Sequence, residues 1–225
     1  GSIGTTTADG SGNWSFDHTS TTLADGSYAI TAAATDVSGN TSAASSALNI
    51  TVDTAAPAAP SVSAITDDTG TASDGITSDS QLIITGTAEA NASVEVFIDA
   101  GSIGTATADG SGNWSFDHTG TTLADGSYAI TAVATDASGN TSSTSSALNI
   151  TVDTAAPVAP AVTTITDDTG TASDGITSDN QLIITGTAEA NASVEVFIDA
   201  GSIGTTTADG SGNWSFDHTS TTLAD

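Results

Sequence analysis

The sequence predicts an all-β protein built of tandem two-sheet Greek-key sandwiches, and three observations carry that reading. The chain repeats itself every 100 residues, apolar residues within a repeat alternate with period two, and the segments between them are rich in Gly, Asp, Asn and Ser. Residues 1–100 and 101–200 align without a gap and differ at 11 positions, and 201–225 repeat 1–25 unchanged. Solenoid repeats of ~20–50 residues are too small to bury a core alone, whereas a repeat of this length is the size of an independent domain.

Domain boundaries follow from proline. All four prolines lie in Asp53-Thr-Ala-Ala-Pro57-Ala-Ala-Pro60 and its copy Asp153 to Pro160. Proline fixes φ and lacks an N–H, so this spacing favours a short extended linker. The expected organisation is a partial repeat over 1–56 with the C-terminal strands, a complete repeat over 57–156, and a partial repeat over 157–225 with the N-terminal strands. Residues 157–200 and 1–56 together make one whole repeat, so the chain is expected to be cut out of register with its natural domains, and in a crystal end fragments of neighbouring molecules could complete each other.

Within the complete repeat, alternation predicts seven strands. Strand A is Ser61–Thr66, and strand B, Gln81–Ala88, turns Leu82 and Ile84 to one face. Strand C, Ser93–Asp99, points Val94, Val96 and Ile98 inward. Strand D is Ile103–Thr107, and strand E, Asn113–Thr119, points Trp114 and Phe116 one way. Strand F, Tyr128–Thr135, aligns Tyr128, Ile130, Ala132 and Ala134, and strand G, Ala147–Val152, aligns Leu148, Ile150 and Val152. Nothing reads as a helix longer than one turn. Seven short strands in about 100 residues indicate an immunoglobulin-like sandwich, and Leu123-Ala-Asp-Gly-Ser-Tyr128 before strand F predicts a tyrosine corner.

Charge narrows the function. The chain has 27 Asp and Glu, no Lys or Arg, and no Cys, for a formal charge of −27. Without cations there is no basic patch for phosphate, which argues against nucleic-acid partners and against attraction to anionic lipid. No apolar run approaches the ~20 residues needed to span a bilayer, so direct membrane insertion is not expected. Disulfides and thiolate metal sites are impossible. Self-repulsion opposes compaction unless cations bind, and Ca2+ prefers carboxylate and carbonyl oxygen.

The acids cluster at the poles of the sandwich. The C-terminal pole is expected to hold Asp67, Asp68, Asp74, Asp79, Asp99, Asp125 and Asp153; the N-terminal pole, Glu89, Asp109 and Asp136. The run Asp67-Asp68-Thr-Gly-Thr-Ala-Ser-Asp74-Gly-Ile-Thr-Ser-Asp79 can wrap an ion in several oxygens. Its copies are Asp167, Asp168, Asp174 and Asp179. A second candidate is the junction, where Asp53 leaves one repeat beside Glu89, Asp109 and Asp136 of the next; Asp36, Asp153 and Glu189 are equivalents at other copies, and Asp199 is the copy of Asp99 at the C-terminal pole. Several structural calcium ions per repeat are expected, with solvated acidic loops as the competing reading, and Asp125 is expected to serve its own turn. An enzyme is not expected: Asp117 and His118 are strand neighbours that point to opposite faces. Trp114 alternates with Phe116 and reads as core rather than as a sugar platform.

Ile-Thr-Gly-Thr-Ala-Glu89-Ala-Asn-Ala-Ser-Val-Glu-Val, Ala-Asp-Gly-Ser-Gly-Asn-Trp114-Ser-Phe, Ala-Thr-Asp136-Ala-Ser-Gly-Asn-Thr-Ser and Val-Asp153-Thr-Ala-Ala-Pro resemble bacterial immunoglobulin-like repeats of giant, type I-secreted, calcium-dependent adhesins, including ice-binding and biofilm adhesins. The resemblance covers the whole chain. It implies an extracellular extender on the bacterial surface that projects a distal adhesive domain, with neighbouring repeats as its partners and outside surfaces reached only through other domains. It also implies calcium in loops and between domains, at Asp53, Asp67, Asp68, Asp74, Glu89, Asp136 and their copies. The alternative is a module in which each repeat binds carbohydrate or another surface ligand.

Overall fold

The computed structural model describes residues 1–166, 168–171, 174 and 176–220, and these form two compact units, Gly1–Thr154 and Ala155–Asp225. No described residue is helical. The first unit contains a two-stranded hairpin, β1 (Gly26–Ile30) and β2 (Leu48–Val52), followed by one complete sandwich. The sandwich strands are β3 (Ser61–Ile65), β4 (Ile76–Thr77), β5 (Ile83–Thr87), β6 (Ser93–Ile98), β7 (Gly101–Thr107), β8 (Asn113–Asp117), β9 (Gly126–Thr135) and β10 (Leu148–Val152). One sheet has the order β3-β5-β8 and the other β4-β10-β9-β6-β7. The second unit holds β11 (Ala161–Ile165), β12 (Ile183–Thr187), β13 (Ser193–Ile198), β14 (Gly201–Thr207) and β15 (Asn213–Asp217), in sheets β11-β12-β15 and β13-β14.

The alternating residues form the core between the sheets. Leu82, Ile84, Val94, Val96, Ile130, Ala132, Ile150 and Val152 are fully buried with Trp114, and Phe116, Tyr128 and Leu148 pack against them. The tyrosine corner is present: the Tyr128 hydroxyl donates to the Ala124 carbonyl at 2.8 Å, and Tyr28 to Ala24 at 2.7 Å. Asp99 and Ala100 both take positive φ, 49° and 66°, closing β6 and β7 into a two-residue hairpin whose backbone twist matches its strands.

Four features depart from the sequence reading. The short β4 was not expected; it pairs in parallel with β10 and moves the start of the complete repeat from one sheet to the other. The proline segment, expected as a short extended linker, is also packed in the first unit, where Pro57 and Pro60 are both buried. Asp125 does not serve its own turn: its Oδ1 accepts from the N–H and hydroxyl of Thr154, tying the end of the sandwich to the β8–β9 connection. In residues 1–25, whose counterparts in the complete repeat supply β7 and β8, no strand forms.

The upper half of β9 has a further device. Here β10 has not yet begun, and two serines replace it as ladder partners. Ser145 Oγ accepts the Ala132 N–H at 2.9 Å, Ser142 Oγ accepts the Ala134 N–H at 2.9 Å, and the same serines' N–H groups donate back to the Ala132 and Ala134 carbonyls. Ser145 is buried, so truncating it strands a buried donor. Ser145→Ala is expected to destabilise the sandwich by about 1–3 kcal/mol, the cost of leaving such a donor unmade. Chemical denaturation checks this; a change near zero would mean that another acceptor reaches the Ala132 N–H.

Candidate metal-binding loops and junction

The acidic residues sit in loops, and their oxygens are largely committed to the loops themselves. A five-residue pattern, Asp-x-Ser-Gly-Asn, recurs at Asp9, Asp36, Asp109, Asp136 and Asp209. In each, the Asp Oδ1 accepts the N–H groups two and four residues on, and the Asn side-chain amide donates to the same carboxylate; for Asp136 these distances are 2.8, 2.9 and 2.9 Å. Hydrogen bonds to the charged form favour it. The Asn140 side chain foremost, then its backbone N–H, hold the Asp136 carboxyl below the usual Asp value. For Asp109 the Asn113 and Ser111 backbone N–H groups do the same, Asn113 most. Asp117 is engaged by the hydroxyl and N–H of Thr119, at 2.6 and 2.9 Å, while the His118 ring lies 6.1 Å from that of Phe116.

The junction inside the first unit brings together part of the expected set. Asn140 Nδ2 donates to the Asp53 carbonyl at 3.1 Å and to Asp136 Oδ2 at 2.9 Å, and the Ser138 hydroxyl donates to Asp53 Oδ2 at 3.3 Å. One amide therefore spans the two residues expected to share a cation. Glu89 and Asp109 lie on adjacent loops: the Glu89 carbonyl accepts from Ala92 and the Asp109 carbonyl from Asn91. Among the described residues, no three His, Cys, Asp or Glu side chains converge as a metal cluster. Glu89 and Asp109 thus do not join Asp53 and Asp136 in one carboxylate cage.

At the other pole, Asp68 Oδ2 accepts the N–H groups of Ser73, at 2.6 Å, and Gly75. Its second oxygen, Oδ1, is buried without a hydrogen-bond partner. Asp67 takes φ 61°, unusual for a residue with a Cβ, and its carbonyl accepts the Thr77 hydroxyl at 2.8 Å. Asp67 and Asp68 line a groove of about 340 Å³ with Ile65, Ala72, Leu148 and Ile150 among others. Asp74 and Asp79 accept the N–H groups of Ile76 and Gln81, each two residues on and at 2.9 Å, and Asp99 Oδ1 accepts that of Ala129 at 2.9 Å. In the second unit, Asp174 and Asp179 repeat the bonds of their counterparts, to Ile176 and Gln181, and Asp199 repeats the positive φ of Asp99. Asp167 lies outside the described residues.

The orphaned Asp68 Oδ1 is the point where the residues fit a cation. A buried carboxylate oxygen without a donor is a desolvated negative charge, and carboxylate oxygen is a ligand that Ca2+ takes. Counting acids along the sequence could not single it out from Asp74 or Asp79, because all three share the same loop chemistry and differ in what the fold places over the second oxygen.

The sequence matches the bacterial Ig-like domain model three times in succession, over residues 1–54, 56–154 and 156–225. No curated protein matches it. Among solved structures it is similar to a tetra-tandem repeat from the extending region of a large adhesion protein, at 25% identity over 87% of this chain and 49% of that one, with a TM-score of 0.37. It is also similar to a structure from a 1.5-MDa bacterial ice-binding adhesin, at 22% identity over 83% of this chain and 61% of that one, with a TM-score of 0.37. A third is the fibronectin(III)-like modules of Clostridium thermocellum CbhA, at 21% identity over 58% of this chain and 64% of that one, with a TM-score of 0.34. The chain thus spans about half the length of the first of these and under two thirds of the others. Consecutive matches to one domain model account for nearly every residue, the described residues form strands and no helix, and the chain belongs to the bacterial Ig-like domain family.

Proposed function

We propose that the chain is a structural extender of a bacterial surface adhesin, outside the cell, in which near-identical Ig-like repeats set a distance rather than bind a substrate. The observation that supports this most is the repetition itself: 89 of 100 residues recur between the first two repeats, turns and core alike. A chain selected for ligand contact in each repeat has reason to vary its loops; a spacer has reason to copy itself. Trp114, the residue a sugar platform would use, is 3% exposed and belongs to the core.

Calcium is the second part of the proposal. Asp68, through its unpartnered Oδ1, would hold one ion at the C-terminal pole, and Asp53 and Asp136 would hold another at the junction. A bound ion supplies positive charge to a chain that carries −27. Because it binds the folded form, it draws folding forward by mass action. In a compartment poor in calcium the same chain stays loose, which suits export through a narrow channel of the type I kind.

Small-angle scattering and thermal unfolding, in calcium and in excess chelator with a magnesium control, test both parts. The expected result is a maximum dimension that grows in proportion to repeat number and an unfolding midpoint that calcium raises and magnesium does not. A dimension that levels off as repeats are added would overturn the extender reading. An unchanged midpoint would overturn the calcium part and leave the extender standing.

A further inference from the structure

Nine of the ten asparagines precede a Ser or Thr by two residues with no proline between: Asn13, Asn40, Asn49 and Asn91, their copies Asn113, Asn140, Asn149 and Asn191, and Asn213. Asn180 is the exception. Asn-x-Ser/Thr is the acceptor signal for N-linked sugar, but Ser and Thr are so frequent in this chain that the motif alone decides nothing. What separates the sites is the use the fold makes of each asparagine.

In the complete repeat, three of the four serve the backbone. Asn113 and Asn140 donate their amides to Asp109 and Asp136 and close the Asp-x-Ser-Gly-Asn turns. Asn91 takes φ 64°, a conformation that asparagine adopts more readily than most residues. Asn149 does neither. It lies inside β10, a strand paired on both sides, where asparagine is a poor choice. It is exposed, and its side-chain amide has no hydrogen-bond partner among the described residues. Ile150 and Val152 point inward, so Asn149 and Thr151 project side by side from the outer face of the sheet. Space around Asn149 is open, because it faces Ala129 across β9 and its carbonyl lies against Gly75 on the other side. Asn49 holds the same place in β2, exposed and opposite Ala29.

We propose that Asn149 is the acceptor for an N-linked sugar, given by a nucleotide-activated hexose. The Asn149 Nδ2 attacks the anomeric carbon, and the bond from that carbon to the diphosphate oxygen breaks. The nucleoside diphosphate leaves, one amide proton passes to a base of the transferase, and an N-glycosidic bond remains. Thr151 supplies the hydroxyl by which the transferase selects this asparagine.

The position gives the sugar a task. β4 is an edge strand of two residues, and its Ile76, paired with Thr151, is 53% exposed on the same outer face. Sheet edges invite pairing with other chains and are often blunted by Lys, which this chain lacks. A sugar on Asn149 lays its carbon face over Ile76 and puts hydrated, uncharged bulk beside the edge.

The experiment is mass spectrometry of the chain isolated from the cells that make it, cleaved at aspartate because it has no Lys or Arg for trypsin. Fragmentation assigns the modified residue, before and after a peptide amidase that releases N-linked sugar and leaves Asp. The expected result is a hexose increment on Asn149 that the amidase removes. Asn149→Gln and Thr151→Val, made in the same cells, should each abolish the increment at this site. Both positions point outward, and circular dichroism checks that the strands are kept. An unmodified Asn149, sugar confined to Ser or Thr hydroxyls, or an increment that survives Thr151→Val overturns the proposal. None of these outcomes bears on the extender or calcium readings, which are tested by the length of arrays and their response to chelation.

Discussion

Gly86→Ala is expected to unfold the complete sandwich at temperatures where the parent is stable. Gly86 lies mid-strand in β5, directly opposite Trp114 of β8 and Val62 of β3. No unusual φ calls for glycine here; the reason is space. A Cβ at this position would sit inside contact distance of the Ser61 carbonyl oxygen and 2.5 Å from Trp114 Cζ2. One obstacle is backbone and the other a buried ring held on every side, so neither can yield cheaply. The loss should be about 3 kcal/mol or more, at the upper end of what overpacking does, and at ~4–8 °C per kcal/mol the midpoint should fall by about 15 °C. Gly186 meets Ala161 and Trp214 in the same way, so the pattern belongs to the repeat. Removing the ring as well should not rescue the variant, since the carbonyl remains. A midpoint within a few degrees of the parent would mean that β3 and β5 are free to part at this point.

How far the sequence was legible depends on the kind of interaction. Period-two alternation located every long strand to within about two residues, because burial of Leu82, Ile84, Val94, Val96 and Ile130 is a property of each side chain and its parity. The tyrosine corner was legible for a similar reason, being a local bond over four residues. β4 was not, because Ile76 and Thr77 are two residues inside an acidic loop and alternation needs a longer run. The serine ladder was not, because Ser142 and Ser145 look like any polar loop until β9 is seen to need acceptors at Ala132 and Ala134. The acids are the instructive case. Asp109 and Asp136 read as candidate ligands by charge and position, yet each begins an Asp-x-Ser-Gly-Asn turn and spends one oxygen on two backbone N–H groups. The Asn four residues on was a visible signal of that use. Composition counts carboxylates; only the fold shows which oxygens remain unspent, as at Asp68.

Trp114 separates two contributions that usually travel together. It is 3% exposed and packs in the centre of the core, so Trp114→Ala should destabilise the sandwich by about 3–5 kcal/mol through lost burial and the cavity left behind. Its indole Nε1, however, is buried without a hydrogen-bond partner, and so is that of Trp214. An orphaned donor in the interior costs about 1–3 kcal/mol relative to one that is paired or absent. Trp114→Phe keeps a ring between the sheets and removes the orphan, so relief at the nitrogen offsets the smaller cavity. At about 24 cal/mol per Å³ of residual cavity, the net loss should stay under about 1.5 kcal/mol. Equilibrium denaturation of the two variants beside the parent distinguishes the terms. If Trp114→Phe is as damaging as Trp114→Ala, the indole N–H has a partner in solution, a buried water being the nearest candidate, and the tryptophan is kept for that bond. If the two differ as expected, the tryptophan is kept for volume: its ring fills the space that glycine leaves open at position 86, and the large residue and the small one form a single packing unit copied from repeat to repeat.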